Sequence, residues 1–399
     1  MISEKVVTLV ALIHLGRALA SRNTDGAGYI SFPLTGRTGP SLVGNLAKRQ
    51  QEMIATSRLN GTLYTIDITL GSPGQTVPVQ FDTDAAELWV NSVCMNSSGP
   101  EFCGEQPRFT ESSTLNILDI AGRAEYKLGW ANFQYVVDYV RIGSARVSSQ
   151  IFGAAYQSEN LMVGVLGATP SRNGWINGRP SLFDNLTDQG AIILGGLDTG
   201  KIRGHLQKLP VVPATKSPDK VTRWWVFLDA ISVKDGDGAT TIAFEGSSGG
   251  GQAVVLDSGY TISALPLVEG HVTPSPPDIF RKLLMAFPKA KKRSDGLYRV
   301  ECLLEGKGGS VSFTFGNVTI DVPYYDFVFH VPSEDDYCVL GAFEDDLPVL
   351  GDNFLRAAYV IYDFDQQTVH IAQSDDCGSN VVPIGPEGTT VTEGDCGKI

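Results

Sequence analysis

Apolar residues occur along this chain in short runs that turn-forming residues separate. From Leu63 to Leu70 apolar and polar residues alternate, which is typical of a half-buried strand. Gly71-Ser72-Pro73-Gly74 interrupts the run and leads into a second one, Val77 to Phe81, so a hairpin is predicted. Helical periodicity is sparse and is clearest from Pro277 to Phe287. The pattern therefore predicts a mostly β protein.

Asp82 ends the second apolar run, and the chain becomes apolar again by Trp89-Val90. An isolated charge at the end of a buried strand is costly, so a partner is expected. The same pattern returns in Val254-Val255-Leu256-Asp257. Asp82 and Asp257 are therefore the expected partners.

A second apolar motif follows each of these aspartates at a similar distance. Val163 to Gly167 follows the first, and Leu347 to Gly351 follows the second. This internal repeat predicts two homologous lobes that contribute one carboxylate each.

With these motifs the chain resembles the pepsin-like aspartic proteases, and among them the secreted fungal yapsin-like branch. The family has Asp-Thr-Gly-Ser-Ser-Asp-Leu-Trp-Val in its first lobe, where Asp82 to Val90 stands here, and Asp-Ser/Thr-Gly-Thr in its second. The resemblance covers most of the chain between Asn60 and Asp376. It implies a bilobal pepsin-like acid protease fold, with an active-site cleft between two β-rich lobes.

The resemblance also implies that Asp82 and Asp257 activate a water molecule that hydrolyses peptide bonds, without a metal or other cofactor. Further residues of the two active-site loops are Thr83, Asp84, Ser258 and Gly259. The substrate would be a peptide or protein segment in an extended conformation.

Tyr126 is the expected flap tyrosine, because the family keeps a Tyr twelve residues before an Asp that corresponds to Asp138. In the family this Tyr closes over the substrate and hydrogen-bonds a Trp, which corresponds to Trp89. The alternative is that both are core aromatics. Lys127 and Leu128 depart from the small residues of the family's flap.

Three departures from the family pattern in the catalytic loops weaken the inference of activity. Asp84 replaces Gly, Ala85 replaces Ser, and Tyr260 replaces Thr. A third acid near the pair favours protonated carboxyls, and the alanine removes a hydroxyl donor. The alternative function is therefore a catalytically impaired homologue that binds peptide or protein. A two-carboxylate glycoside hydrolase is disfavoured by the paired loops.

The tripeptide Asp198-Thr199-Gly200 matches the catalytic motif literally. Gly195-Gly196 precedes it instead of an apolar pair. We therefore expect a structural turn there.

The N-terminus has the pattern of a secretory signal, with Lys5 before the apolar run Val6 to Leu15 and small residues at Ala18-Leu19-Ala20. Lys48-Arg49 is the expected processing site of a propeptide, although a linker that stays attached is the alternative. The predicted segments are a signal peptide (1–20), a propeptide (21–49), an N-terminal lobe (50–212), a C-terminal lobe (213–376) and a disulfide-stapled tail (377–399).

The formal net charge of −13 disfavours nucleic acid and anionic membranes as partners. No second apolar stretch matches the N-terminal one in length, so no stable membrane anchor is expected. We expect a monomer that is secreted, either outside the cell or into the secretory pathway or vacuole.

Six cysteines in a secreted chain predict disulfides whose connectivity the sequence leaves formally open. Cys94–Cys103 would close the short loop after the first motif. The resemblance places Cys302–Cys338 within the second lobe, which leaves Cys377–Cys396 for the tail. The Cys-x-x-Cys spacing typical of zinc sites does not occur in the sequence. Glycosylation sequons begin at Asn60, Asn96, Asn185 and Asn317.

Overall fold

The structure is a computed structural model. It describes residues 11–13, 35–38, 62–97, 100–126, 129–142, 145–161, 163–169, 182, 196–246, 251–266, 278–302, 308–331, 337–364, 366–375, 377–378, 380–384 and 389–397. Strands dominate these residues, as the apolar pattern predicts. The chain divides into two compact units, an N-terminal unit of Ile13–Gly196 and a C-terminal unit of Leu197–Ile399 with Met1–Leu12. The predicted lobe boundary at residue 212 stays a prediction.

The N-terminal unit is built on one sheet. Its strands are β2 (Thr35–Thr38), β3 (Thr62–Leu70), β4 (Gln75–Asp82), β5 (Leu88–Asn91), β6 (Asn116–Glu125), β7 (Trp130–Ile142), β8 (Ala145–Glu159) and β9 (Gly164–Gly167). They lie in the order β2-β3-β4-β9-β5-β8-β7-β6, with an additional β3–β7 pairing. The predicted hairpin is the pair β3–β4.

The C-terminal unit consists of several smaller sheets. Its strands are β10 (Gly196–Asp198, which begins at the unit boundary), β11 (Ile202–Pro210), β12 (Trp225–Leu228), β13 (Ala230–Lys234), β14 (Thr240–Glu245), β15 (Gln252–Leu256), β16 (Ser263–Leu265), β17 (Lys291–Lys292), β18 (Tyr298–Val300), β19 (Ser310–Phe315), β20 (Val318–Pro323), β21 (Phe329–Val331), β22 (Tyr337–Val339), β23 (Ala342–Glu344), β24 (Val349–Leu350), β25 (Ala358–Asp363), β26 (Thr368–Ser374) and β27 (Val381–Pro383). A short strand near the start of the chain, β1 (Ala11–Ile13), lies beside β25.

The predicted repeat appears as the same strand arrangement in both units. In the first, β4 is parallel to β9, β9 is antiparallel to β5, and β5 is parallel to β8. In the second, β15 is parallel to β24, β24 is antiparallel to β16, and β16 is parallel to β23. The two apolar motifs that follow the aspartates form the middle strands, β9 and β24. The prediction of two homologous β-rich lobes is thereby confirmed.

Helices in the described part of the chain are few and short. They are α1 (Pro100–Glu105), α2 (Ile279–Met285), α3 (Tyr324–Phe327) and α4 (Asp352–Leu355), with 3₁₀ turns at Thr199–Lys201 and Ala214–Lys216. The predicted helix is α2, which begins after Asp278, because the Asp278 side chain accepts a hydrogen bond from the Arg281 amide. Its residues Ile279, Phe280 and Leu283 are buried, as the periodicity predicts.

Three disulfides form between the predicted partners, Cys94–Cys103, Cys302–Cys338 and Cys377–Cys396. The last bridge lies within the tail, and a hydrogen bond from the Cys377 amide to the Gly200 carbonyl at 3.1 Å ties the tail to the segment around Thr199. Strand β27 pairs with β10 in the same region.

The tripeptide Asp198-Thr199-Gly200 has a structural role. One oxygen of the Asp198 carboxylate accepts amides from Gly200 at 3.1 Å and from Asn380 at 2.7 Å. The amide of Asp198 donates to the buried hydroxyl of Tyr359 at 2.9 Å. Asp198 thus begins a 3₁₀ turn and fixes the tail, which agrees with the expected turn.

Tyr359→Phe should lower the free energy of unfolding by about 1–3 kcal/mol, because it removes the buried hydroxyl to which the Asp198 amide donates. Tyr156→Phe, at a tyrosine that is 42% exposed, is the control and should change it little. Urea denaturation of both variants measures the difference. Equal stabilities would show that this hydrogen bond contributes nothing measurable.

Candidate active site

Asp82 is the last residue of β4, at the end of the buried parallel pairing of β4 with β9. Asp82 lies opposite Gly167 in the parallel pairing with β9, and its carbonyl accepts the Ala168 amide at 2.8 Å. The side chain of Asp82 is 6% exposed, and the following Thr83 is fully buried. A buried carboxylate needs hydrogen bonds to stay charged.

The loop itself supplies those hydrogen bonds. The amides of Asp84 and Ala85 donate to Asp82 Oδ1 at 2.8 and 2.9 Å. Such bonds to a carboxylate favour its ionised form. The backbone therefore supplies donors to Asp82 although Ala85 has no hydroxyl.

Asp84 occupies the family's glycine position without backbone strain. Among the described non-glycine residues, positive φ occurs at Asn160, Lys220 and Gln367, so Asp84 does not adopt the left-handed conformation that favours glycine. The substitution is therefore compatible with the loop geometry around Asp82.

The loop is held tightly against the residues that follow β9. The Gly167 amide donates to the Glu87 carbonyl at 2.9 Å, and the Thr169 amide donates to the Ala85 carbonyl at 2.9 Å. A Cβ at Gly167 would overlap the backbone of Ala85 and Glu87, so the close approach requires glycine. The loop from Asp82 to Glu87 is consequently fixed along its length.

Glu87 brings a third carboxyl into this loop, in addition to those of Asp82 and Asp84. Its Oε2 is buried and has no hydrogen-bond partner among the described residues. Burial raises the pKa of the Glu87 carboxyl from 4.5 to about 7. Glu87 is therefore a neutral acid over the acidic range and becomes charged near neutrality.

Trp89 and Tyr126 are hydrogen-bonded, as the flap assignment predicts. Trp89 Nε1 donates to the Tyr126 hydroxyl at 2.7 Å. Trp89 is fully buried in a cluster with Phe133 and Tyr135, against which Tyr126 packs. Both aromatics thus contact the core and also make a specific polar contact; the flap role stays a prediction.

Tyr126 directly follows β6. Its amide donates to the Gly129 carbonyl at 2.8 Å. Lys127 and Leu128, which depart from the family, lie outside the described residues. Burial, together with the negative charges of Asp82 and Glu87, raises the pKa of the Tyr126 hydroxyl well above its ordinary value. The hydroxyl therefore keeps its proton at any working pH.

Asp257 in the C-terminal unit follows β15 as Asp82 follows β4. It is 2% exposed, and its Oδ1 accepts the Gly259 amide at 2.6 Å. The Asp257 amide donates to the Leu350 carbonyl of β24 at 3.0 Å. Ser258 is buried beside it. Asp82 and Asp257 belong to different units, and their pairing stays a prediction.

The loop after Asp257 is supported by the turn that begins α4. The amides of Asp352 and Asn353 donate to the carbonyls of Tyr260 and Thr261 at 2.6 and 3.2 Å. These two hydrogen bonds fix the backbone at Tyr260 and Thr261.

The Asn353 side chain extends this support. Its Oδ1 accepts the Ser263 hydroxyl at 2.8 Å and the Ser263 amide at 3.1 Å, and its Nδ2 donates to the Gly341 carbonyl at 2.6 Å. Asn353 therefore ties α4 to β16 and to the loop before β23.

Sequence reasoning missed Glu87 and Asn353. Glu87 is an acidic residue within the otherwise apolar segment from Ala85 to Val90, and this could have singled it out. Asn353 follows the Gly351-Asp352 turn, and no local pattern shows that its amide reaches Ser263 and Gly341, which are distant in sequence.

A family model described as eukaryotic aspartyl protease matches residues 63–374. Similar curated proteins include a probable aspartic-type endopeptidase opsB of Aspergillus fumigatus, 27% identical over 81% of this chain and 71% of that protein. Secreted aspartic protease 5 of Candida albicans is 29% identical over 86% of this chain and 82% of its own. Candidapepsin of Candida tropicalis is 26% identical over 88% of this chain and 89% of that protein. The chain belongs to the eukaryotic aspartyl protease family.

Two sequons can be placed on the structure. Asn96 and Asn317 are exposed, whereas Asn60 and Asn185 lie outside the described residues. None of the helices in the described ranges is both long and apolar enough to cross a membrane.

Glu87→Gln should remove a pH-dependent loss of stability. The pKa of the Glu87 carboxyl is about 7 in the folded chain, whereas its ordinary value, which applies to the unfolded chain, is 4.5. Between pH 4.5 and pH 7 the folded state therefore holds a proton that the unfolded state has released. Stability therefore falls as pH rises through this interval, by about 1–3 kcal/mol for this partly buried group. Urea unfolding at pH 4, 5.5 and 8 tests this.

Glu105→Gln is the matched control, because Glu105 is exposed. It should leave the pH dependence of the wild-type chain in place. A Glu87→Gln variant whose stability falls with pH as steeply as that of wild type contradicts the prediction.

Proposed function

We propose that this chain is a secreted aspartic-type endopeptidase that hydrolyses peptide bonds with a water molecule activated between Asp82 and Asp257. The observation that carries the proposal is the duplicated strand arrangement, in which each aspartate follows a buried strand and accepts backbone amides of its own loop. Family membership supports the same chemistry.

Two carboxyls that share a site hold one proton between them, because ionising both is costly. The ionised carboxylate takes a proton from the water while the water oxygen attacks the scissile carbonyl carbon. The protonated carboxyl donates its proton to the carbonyl oxygen as negative charge develops there. Collapse of the tetrahedral intermediate then breaks the C–N bond, and the amine leaves with a proton from the pair. No acyl-enzyme is formed.

The substrate is an extended peptide, which the cleft edges and the Tyr126 flap would bind through main-chain hydrogen bonds. Secretion agrees with the names of the Candida albicans relatives, which are secreted aspartic proteases. Asn96 and Asn317 are the proposed glycan sites on the described surface.

The second candidate is a peptide-binding homologue without turnover, which Asp84, Ala85 and Tyr260 favour. The unstrained Asp84 and the amide donors to Asp82 favour activity instead. Turnover distinguishes the two, because both predict the same fold and cleft.

Asp82→Asn and Asp257→Asn should each reduce cleavage of an unstructured protein by about 10³-fold or more, because an amide cannot hold or transfer the shared proton. The assay is run with the matured chain between pH 3 and 7. Asp237→Asn, at an exposed turn of the C-terminal unit, is the control and should retain activity.

Absence of cleavage by the folded wild-type chain would reject the endopeptidase proposal and support the binding protein. Activity gained by Asp84→Gly would then identify Asp84 as the cause of the loss.

A further inference from the structure

A cavity of about 550 Å³ lies in the C-terminal unit. Its walls come from the turn after β13, the segment that follows α2, the end of β18 and the first residue of α3. Cavities that bind small molecules typically have volumes of about 300–1,000 Å³. None of the described lining residues belongs to the loops around Asp82 and Asp257, so the proposed hydrolysis does not use this cavity.

One wall of the cavity is aromatic and fixed. Phe287 and Tyr324 are 5% and 4% exposed, and their ring centroids lie 5.7 Å apart. The Tyr324 amide donates to the Gly309 carbonyl at 3.0 Å, and a Cβ at Gly309 would overlap the tyrosine ring. The ring therefore has a defined place, and the wall offers apolar surface to the stem of a ligand.

The hydroxyl of Tyr324 is the polar group of this wall. More than nine-tenths of the residue is buried, yet its hydroxyl makes no hydrogen bond to any described residue. It is not among the described polar atoms that are sealed from solvent without a partner, so it is open to the cavity. Because buried hydroxyls are normally hydrogen-bonded, this one is suited to bind a polar group that enters the cavity.

Asp235 adds a carboxylate from the turn after β13. Its Oδ1 accepts the Ala239 amide at 2.8 Å, whereas its Oδ2 makes no hydrogen bond to a described residue. Burial and the negative charge of Asp235 raise the pKa of the Tyr324 hydroxyl, which therefore stays protonated. The carboxylate of Asp235 is thus held by its own turn and keeps one oxygen for a ligand.

Glu301 brings a further carboxylate from the end of β18, and Lys289 is an ion-pair partner of it. The nitrogen and oxygen of this pair lie 3.0 Å apart, but the Lys289 and Glu301 side chains are 75% and 43% exposed. Ion pairs as exposed as this one contribute little to stability. A cation that enters the cavity can therefore replace the Lys289 ammonium at Glu301.

These groups together select the charge of a ligand. Carboxylates outnumber the single ammonium group in the described wall, so an anion would be repelled. A neutral apolar molecule would remove water from Asp235 and from the Tyr324 hydroxyl without replacing their hydrogen bonds, which is costly. A cation with an apolar stem fits both the carboxylates and the aromatic wall.

We propose that this cavity binds an alkylammonium or alkylguanidinium group. Its charged end pairs with Asp235 and Glu301 and donates an N–H to the Tyr324 hydroxyl, while its stem lies against the aromatic wall. Such a group belongs either to a free amine or to a Lys or Arg side chain of another protein. The proposal goes beyond the endopeptidase function and does not depend on it.

The first test measures binding to the full chain by isothermal titration calorimetry at pH 6. The probes are agmatine, which carries a guanidinium on an alkyl stem, and a capped peptide of four glycines around one arginine. The guanidinium ion, which lacks the stem, should bind at least about tenfold more weakly than agmatine. The peptide is titrated into Asp82→Asn, so that cleavage cannot contribute heat.

Binding of agmatine alone identifies a free amine as the ligand, and binding of the peptide alone identifies a protein side chain. Both results support the proposal, and binding of both probes does so without separating the sources. Absence of binding by either probe overturns it.

Two charge variants place the binding in this cavity. Asp235→Asn should weaken the binding of the probe that binds by about tenfold or more, because a charge-assisted hydrogen bond is lost. Lys289→Gln should strengthen it by about two- to fivefold, because the competing ammonium is removed. Glu245→Gln removes an exposed carboxylate of β14 outside the cavity and should leave the affinity unchanged. Equal affinities of Asp235→Asn and Glu245→Gln would overturn the proposal.

Tyr324→Phe separates a ligand contact from a structural role. Since the hydroxyl has no partner among the described residues, its removal should leave the free energy of unfolding without probe unchanged. The affinity for the probe should nevertheless fall by about two- to tenfold, the effect of one hydrogen bond. Urea denaturation and calorimetry measure the two effects. A loss of stability without a loss of affinity would contradict the assignment of this hydroxyl to the ligand.

Discussion

The hydrogen bonding of a buried carboxylate at the end of a strand is the constraint on which this structure depends. Asp82 and Asp257 are nearly inaccessible to water, yet each is followed by a turn whose amides point back at its oxygen. Because the donors belong to the backbone, side chains in these turns can vary without removing them. This explains how a loop with Asp84 and Ala85 still supplies hydrogen-bond donors to Asp82.

The neighbouring strands hold these turns in place. In each unit a strand from a later apolar motif lies parallel to the strand that carries the aspartate. Residues at the end of that later strand bind the turn, Gly167 to Thr169 in the first unit and the start of α4 in the second. The repeat therefore includes the strand pairing that supports each turn as well as the aspartate motif. This is the reason that an apolar motif recurs after each aspartate.

Glu87 shows how a single substitution changes the electrostatics of such a site. The family's first motif has an Asp at this place, and the longer side chain of Glu87 ends in a buried oxygen near the Trp89–Tyr126 pair. The site thereby contains a partly buried acid that titrates near neutrality. Its charge state is linked to folding stability.

The sequence by itself determined the β class, the hairpin before Asp82, helix α2 and the repeat, because these follow from local periodicity and from motifs that identify a family. Trp89 and Tyr126 could be singled out by their positions in that pattern. The burial of Glu87 and the contacts of Asn353 with Ser263 and Gly341 were decided only by the tertiary structure. Their environments are made by residues far away in the chain, and the solvation of a carboxyl or the partner of an amide depends on those neighbours and not on the local sequence.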